Sequence, residues 1–174
     1  MELSYAAGLF DGEGTIGVDV AYIDRPSKPY TRSQLRVAIT MTHLPTIQLF
    51  HTQFGGSISR CDSANRRNKN HRIVYTWLVW SNLAANFLRD ILPYLITKKE
   101  EAILAIEFQD HIRSSVLHFR KYRGNPPDID DIHSYRYHLI KEIKKLKKKG
   151  YDVPKEKLIY PIINDGPVSP SLSN

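Results

Sequence analysis

Residues Ser4–Thr15 read S-Y-A-A-G-L-F-D-G-E-G-T, and this stretch predicts a helix from about Glu2 to Gly12. Small side chains recur in it at four-residue spacing, which places them on one face of the helix. This small-residue face carries Ser4, Gly8 and Gly12, with Ala7 and Asp11 beside them. Because no bulky side chain stands on the face, a second helix could pack almost backbone to backbone against it.

The other side of this helix is apolar, which predicts that it packs on a hydrophobic core. Its apolar residues are Leu3, Ala6, Leu9 and Phe10. Gly12 and Gly14 stand near the predicted C-terminus, where their freedom to adopt a positive φ suits a helix end. The pattern therefore predicts a helix with one buried side, one small-residue side and a glycine-rich end.

Asp11 and Glu13 lie at the C-terminal end of this predicted helix. The free carbonyls of the last turn make that end negative, so carboxylates are unfavourable there. A divalent cation would remove the conflict, because it binds carboxylate and carbonyl oxygens together. A glycine-containing amphipathic helix with a polar C-terminal cap is the alternative interpretation of the same pattern.

The stretch Ala6–Gly14 (A-A-G-L-F-D-G-E-G) resembles the signature of the LAGLIDADG homing endonucleases position by position. Ala6 replaces the first leucine of that signature, and Glu13 stands at its metal-binding acid. The resemblance implies that Glu13 and the carbonyl of Gly12 bind Mg²⁺ or Mn²⁺. Asp11 is expected to be structural and to cap or bridge helix ends, with a direct part in the site as the alternative. It also implies a site-specific endonuclease that cuts a long, pseudo-palindromic double-stranded DNA target.

The signature occurs once in the 174 residues, and no internal repeat is visible. A helix with one face cleared for close packing then needs its partner from a second molecule. A two-fold homodimer, in which the helix meets its own copy, is the simplest arrangement. The expected dimer interface consists of Ser4, Ala7, Gly8, Asp11 and Gly12.

The composition favours an intracellular protein with a polyanionic partner. Lys and Arg number 25 against 18 Asp and Glu, which gives a net charge of +7 and fits double-stranded DNA. Cys61 is the single cysteine, so an intrachain disulfide and a Cys-based metal site are excluded. No apolar run is long enough to span a membrane, and we expect no signal peptide, because the residues given lead straight into the predicted first helix. We expect a reducing compartment that contains DNA.

The periodicity predicts five helices and several caps. The predicted helices are Glu2–Gly12, Thr46–Phe54, Leu83–Leu92, Thr97–Arg123 and Asp130–Lys149. Thr46, Asn82 and Thr97 are the expected N-terminal caps, because their side chains can accept hydrogen bonds from free helix amides. The run Lys141–Lys149 is strongly basic; contact with flanking phosphate and a solvated helix face are equally compatible with it.

Alternating apolar and polar residues predict four strands. The predicted strands are Thr15–Ile23, Gln34–Met41, Ser57–Cys61 and Arg72–Ser81. Together with the helices they predict an α+β domain of order αββαββα, with a four-stranded antiparallel sheet, over residues 1–150. Residues 151–174 are expected to form a partly ordered tail. The resemblance to the LAGLIDADG fold covers roughly residues 1–109.

One face of the predicted sheet is polar, and in the resembled family this face binds DNA. Its side chains are of types that pair with base edges: Asp19, Gln34, Arg36, Thr40, Arg72 and Thr76. A one-residue slip in the last strand would expose Tyr75 and Trp77 instead. The loops Asp24–Ser33 and Asp62–Asn70 add cations suited to phosphate contact: Arg25, Lys28, Arg32, Arg66, Arg67 and Lys69. A solvated polar sheet with charged turns is the alternative.

The resemblance also implies groups that assist the metal. Lys98 matches a basic residue that some single-motif members place in the active site, with Lys99 as its near competitor. His43 matches a polar residue near the water network, where it could relay a proton. Ile47 stands where relatives carry a basic residue, so that second basic group is missing. An RNA maturase or a non-cleaving DNA-binding regulator on the same fold is the alternative function, and a protein–protein module fits the basic face poorly.

Overall fold

The computed structural model describes residues 1–23, 30–61, 73–119 and 129–147. The helices in these ranges are α1 (Leu3–Glu13), α2 (Leu44–Phe54), α3 (Ser81–Ile91), α4 (Lys99–Phe119) and α5 (Ile129–Leu146), with a 3-10 turn at Leu92–Tyr94. The strands are β1 (Gly14–Ile23), β2 (Tyr30–Met41), β3 (Ser57–Cys61) and β4 (Val74–Trp80). The predicted α+β order, αββαββα followed by one further helix, is confirmed for this part of the chain.

The four strands form one antiparallel sheet in the order β1-β2-β4-β3. β1 and β2 are a long hairpin in which Gly14 pairs with Ile39. β4 lies on the other side of β2, with Ile39 opposite Trp77, and β3 is the outer strand beside β4. The two predicted hairpins are therefore joined along β2 and β4 into the expected four-stranded sheet.

One face of the sheet packs on the helices and forms the hydrophobic core. Its fully buried side chains are Ile16, Leu35, Val37, Ile39, Trp77 and Val79. The Trp77 ring lies 5.2 Å from Phe50 and 4.9 Å from Phe87, measured between ring centres. Its indole N–H donates to the carbonyl of Gly55 at 2.7 Å, so the polar edge of the ring is satisfied. The alternation in the sequence predicted this core face correctly.

α1 packs its apolar side on the core through Ala6, Ala7 and Phe10, which have no exposed surface. The Phe10 ring meets Phe87 edge-on, with 5.2 Å between ring centres. The prediction that Ala7 borders the small-residue face and joins a dimer interface is wrong. Ala7 follows Leu3 by four residues and precedes Phe10 by three, so it shares their buried side.

The end of α1 does not use the left-handed backbone that its glycines permit. Gly12 lies inside the helix, and Gly14 has a φ of −76° and a ψ of 155°, which is extended backbone. A Cβ at Gly14 would lie 2.5 Å from the carbonyl oxygen of Phe10 and closer still to the Phe10 ring. Gly14 is therefore needed for space rather than for a positive φ, and α1 passes directly into β1.

The predicted cap of α2 is wrong. The helix begins at Leu44, with Pro45 in its first turn and no side-chain cap, two residues before the predicted start at Thr46. The Thr46 hydroxyl lies 2.8 Å from Nδ1 of His43 and hydrogen-bonds to it. Pro45 is favourable in a first turn because it has no N–H to satisfy, which allows the helix to begin earlier than predicted.

The predicted caps of α3 and α4 are also wrong. α3 begins directly after β4 at Ser81, and the Asn82 side chain accepts a hydrogen bond from Gln109 of α4 at 3.0 Å. The Thr97 hydroxyl donates to the backbone carbonyl of Asp11 at 3.4 Å. Contacts with distant parts of the chain therefore replace both local caps.

α4 and α5 pack on each other, and α5 also contacts β1. The side chains that α5 buries are Ile132, His133, Leu139, Ile140 and Ile143. Nζ of Lys147, just after α5, lies 3.3 Å from Glu101 near the start of α4. No described helix is long and apolar enough to cross a membrane. The predicted loop 62–70, the end of the long helix and the tail 151–174 lie outside the described residues.

Candidate active site and nucleic-acid interface

Asp11 joins the end of α1 to the segment that precedes α4. Its Oδ2 accepts hydrogen bonds from the amides of Ile96 at 2.7 Å and Thr97 at 3.3 Å, and its Oδ1 accepts one from the amide of Lys98 at 3.0 Å. Free amides at the start of a helix carry partial positive charge, which suits a carboxylate. Asp11 thus bridges two helix ends, as expected of a structural residue.

These hydrogen bonds also determine the ionisation of Asp11. Partial burial raises the pKa of its carboxyl, but the hydrogen bonds from Ile96, Lys98 and Thr97 outweigh burial, and the net pKa lies below its ordinary value. The folded chain therefore favours the ionised form. At this position the unfavourable end of α1 is compensated by amides of the neighbouring segment.

Lys98 lies at the end of α1, and its ammonium donates to the backbone carbonyl of Asp11. A cation at this position offsets the partial negative charge of the last helical turn. Lys99 is the first residue of α4 and its side chain is exposed. Of the two lysines left open by the sequence, the structure therefore places Lys98 at the helix end that carries Glu13.

Glu13 is the last residue of α1, and both it and Gly12 are exposed. Among the described residues, no three His, Cys, Asp or Glu side chains come together as a metal site. An ion held by Glu13 would take its other ligands from backbone carbonyls such as that of Gly12, from water or from another molecule. These are the oxygen ligands that Mg²⁺ prefers.

His43 and Ile47 lie at the start of α2. His43 is exposed, and its contact with the Thr46 hydroxyl orients the imidazole. The pairing of Gly14 with Ile39 means that β2 continues past the start of β1 before reaching His43. Ile47 is fully buried in the core, so the position where the resemblance implies a basic residue serves packing instead.

The face of the sheet turned away from the helices, here called the outward face, carries the predicted base-reading residues of the described strands. Asp19 pairs with Gln34 across β1 and β2, and Thr40 pairs with Thr76 across β2 and β4. The outward face consists of Thr15, Gly17, Asp19, Ala21, Arg32, Gln34, Arg36, Ala38, Thr40, Ser57, Ser59, Cys61, Val74, Thr76, Leu78 and Trp80. The predicted residue Arg72 lies outside the described residues.

The register of β4 settles the alternative that the sequence left open. Trp77 is fully buried and Tyr75 packs against the core, whereas Thr76 stands on the outward face. The hydroxyls of Thr40 and Thr76 lie 2.8 Å apart and hydrogen-bond to each other. The slipped register, with Tyr75 and Trp77 outward, is wrong because the indole fills the aromatic core.

Gln34 is held at one end of the outward face. Its Nε2 donates to the hydroxyl of Ser81 at 3.0 Å, and Ser81 has a φ of 51°, which is uncommon for a residue other than glycine. One amide hydrogen and the amide oxygen of Gln34 remain for other partners. The side chain is thus oriented in advance while keeping a donor and an acceptor.

The basic residues predicted in the loops are only partly described. The sequence predicts Arg32 in the loop before the second strand, but β2 begins at Tyr30 and Arg32 pairs with Ala21 on the outward face. Its side chain is exposed. The other predicted phosphate contacts lie outside the described residues: Arg25, Lys28, Arg66, Arg67 and Lys69.

The small-residue face of α1, without Ala7, is open. Ser4, Gly8 and Gly12 are exposed, and a Cβ built on either glycine meets nothing within 4 Å. Asp11, predicted beside them, is half-buried against the segment before α4. The described part of the chain therefore leaves a side-chain-poor surface along α1, while Ala6, Ala7 and Phe10 on its opposite side are buried.

No family model and no curated protein matches the sequence, but solved structures match the fold. The homing endonuclease I-CvuI, in complex with its target and calcium, has a TM-score of 0.63 at 15% identity, over 90% of this chain and 88% of that chain. The archaeal intron-encoded homing endonuclease I-Vdi141I, complexed with DNA, has a TM-score of 0.65 at 19% identity, over 90% of this chain and 91% of that chain.

A third similar structure is the LAGLIDADG homing endonuclease I-GzeII in complex with its DNA target. Its TM-score is 0.50 at 14% identity, over 91% of this chain and 56% of that chain. This chain has the LAGLIDADG homing-endonuclease fold. The resemblance of Ala6–Gly14 to the LAGLIDADG signature is thus confirmed at the level of the fold, with α1 as the signature helix.

Within the LAGLIDADG fold, several outward-face residues were missed by sequence reasoning. Ser57 and Ser59 are exposed on β3, and Trp80 pairs with Arg36 on β4. The signal that could have found them is parity, because residues two apart share a face of a strand. Starting from Thr76 on the outward face, the same alternation reaches Trp80 four residues later.

Proposed function

We propose that this chain is a site-specific, homing-type DNA endonuclease that acts as a homodimer on a long, pseudo-palindromic target. One arrangement carries the proposal. The exposed carboxylate of Glu13 and the ammonium of Lys98 share the end of α1, where the chain enters β1 and the outward face. I-CvuI and I-Vdi141I, which were solved with DNA, have the same fold.

Glu13 is the proposed metal ligand, and the carbonyl of Gly12 is the second oxygen that this chain offers. When bound, Mg²⁺ or Mn²⁺ would supply Lewis-acid stabilisation of the charge that develops at the scissile phosphate. The exposed position of Glu13 allows it to hold an ion against a DNA strand. Lys98 adds a fixed positive charge at the same helix end, and His43 is the proposed proton relay.

The homodimer is proposed from the small-residue face of α1. Ser4, Gly8 and Gly12 leave room for a second helix backbone, and pairing two copies there would bring two Glu13 carboxylates to one place.

The outward face is the proposed surface for reading bases in the major groove. Gln34 keeps one amide hydrogen and its oxygen, which are the groups that pair with adenine. The Thr40 and Thr76 hydroxyls can each accept a further contact while they bond to each other. Phosphate contacts by Arg32 and by the basic residues of the two loops would set the position of the duplex.

The experiment that tests the proposal is cleavage of a randomised DNA library with Mg²⁺, beside the same reaction in EDTA. We expect discrete, metal-dependent double-strand cuts. Glu13→Gln should abolish them while leaving binding nearly unchanged, because it removes a metal ligand and no base contact. Glu2→Gln is the matched control, since Glu2 is an exposed acid at the other end of α1. Binding of DNA or intron RNA without cutting would instead favour the regulator or maturase hypothesis.

A further inference from the structure

A cavity of about 160 Å³ lies where β1 and β2 meet α5. One side is formed by outward-face residues and the other by α5 and the residue just beyond it. The lining residues are Gly17, Val18, Asp19, Arg36, Ile140, Ile143, Lys144 and Lys147. The basic end of α5 and the edge of the outward face thus line one pocket that is open to solvent on one side.

The Arg36 side chain lies along the sheet toward this cavity. A Cβ built on Gly17 would be 3.6 Å from Nη2 of Arg36, so the guanidinium crosses the strand at a residue without a side chain. Nε of Arg36 lies 3.3 Å from Oδ2 of Asp19. That nitrogen is buried and makes no hydrogen bond, so the Asp19 carboxylate neutralises Arg36 without satisfying its donor.

The charges around the cavity leave an excess of positive charge. Arg36, Lys144 and Lys147 face a single lining carboxylate, Asp19. Lys147 pairs with Glu101 at 3.3 Å, so its charge is already compensated. Burial lowers the pKa of Lys144, Asp19 acts in the opposite direction, and Lys147 lowers it further. One monovalent oxyanion would balance the remaining charge, and the Arg36 side chain, 37% exposed apart from its buried Nε, lines the space where that anion would lie.

We propose that this cavity binds one backbone phosphate of the target duplex through Arg36 and Lys144. The inference rests on the proposed DNA-binding function. It also changes the role of Arg36, which the sequence predicts to contact a base, to that of a phosphate contact. An Arg that lies along β1 toward α5 positions the duplex, whereas an Arg that projects into the major groove would select guanine. α5 thereby belongs to the DNA interface together with the sheet.

The first test compares Lys144→Gln with Lys145→Gln on a duplex selected from a random library by the wild-type chain. Lys145 is the matched control, because its side chain is 78% exposed and pairs with Glu142. Because a homodimer has this site twice, losing one phosphate contact in each half-site should lower the slope of log K against log salt by about 1.8 and weaken binding about 60-fold at about 0.1 M salt. Lys145→Gln should change neither value, and Lys144→Arg should restore both.

Phosphate ethylation interference locates the contact. Ethylation of one phosphate in each half-site should impair binding by the wild-type chain and have no effect on Lys144→Gln. Arg36→Ala should weaken binding by the same factor on the selected duplex and on its single-base-pair variants. A selective loss of discrimination at one base pair would show that Arg36 reads a base, and would overturn the proposal.

The failure of this site and the failure of the proposed function give different results. If the wild-type chain binds the duplex and Lys144→Gln behaves like Lys145→Gln, the phosphate site is wrong and the endonuclease proposal stands. If the wild-type chain binds no duplex, the proposed function is wrong and the phosphate site is refuted with it. Circular dichroism of each variant confirms that a loss of binding is not a loss of fold.

Discussion

Replacing Asp11 by alanine should lower the free energy of unfolding without touching the proposed metal ligand. Amides of Ile96, Thr97 and Lys98 lose their common acceptor. Hydrogen bonds to a charged group contribute about 1.5–3 kcal/mol each where water is excluded. Ile96 is 85% exposed, so in the variant water can hydrogen-bond to the amides that the carboxylate no longer reaches. The expected destabilisation is therefore closer to that for the loss of a helix cap, which is about 0.5–2 kcal/mol. We expect a loss of about 1–2 kcal/mol.

The assay is urea unfolding followed by circular dichroism at one fixed protein concentration, since dimerisation would add to the apparent stability. In a separate thermal-unfolding experiment, the midpoint temperature should fall by about 2–4 °C for each kcal/mol of stability lost in a chain of this size. Glu13→Gln, at the same helix end, should stay within about 0.5 kcal/mol of wild type. Equal stability of Asp11→Ala and wild type would refute the bridging role.

The pH dependence gives an independent check on the same residue. The pKa of Asp11 is lowered in the folded chain, so its contribution is fully present above the unfolded pKa of about 3.9. It is lost as the pH falls through the lower, folded pKa. The stability gap between wild type and Asp11→Ala should therefore be constant near neutrality and should close below about pH 4.

Three further substitutions test packing, titration and assembly. Gly14→Ala should destabilise the fold by about 1–3 kcal/mol in thermal unfolding, because the methyl group would overlap Phe10. Burial, with Arg136 nearby, lowers the pKa of His133 to about 4. As the pH falls from about 6.5 to about 4, the unfolded chain takes up a proton that the folded chain does not, so the free energy of unfolding should decrease by up to about 3 kcal/mol. In urea titrations, His133→Gln should make that decrease smaller. Gly8→Leu should leave the monomer folded and break the dimer in sedimentation velocity; a monomeric wild type would contradict the proposed interface.

The strands and their faces were predictable because each hairpin has one buried side and the side-chain period of a strand is two. That period separates Leu35 and Val37 from Gln34 and Arg36 without any knowledge of the register. The helix caps were not predictable in the same way. The Asn82 side chain accepts a hydrogen bond from Gln109, and the Thr97 hydroxyl, in the segment before α4, donates one to the carbonyl of Asp11. Because these partners are distant in the sequence, no local pattern signals them. Arg36 is a similar case, because its side chain lies over Gly17 of β1 and beside Asp19.

The two carboxylates at the end of α1 show how one local pattern leads to two roles. Both stand where the helix carbonyls disfavour negative charge. Asp11, on the inner side, is compensated by the amides before α4 and its pKa is lowered. Glu13 is exposed at the junction with β1, where water solvates its charge and the Lys98 ammonium lies at the same helix end. The hydrogen bonds of Asp11 therefore commit one carboxylate to joining α1 to the segment before α4, and Glu13 remains the carboxylate that we propose as the metal ligand.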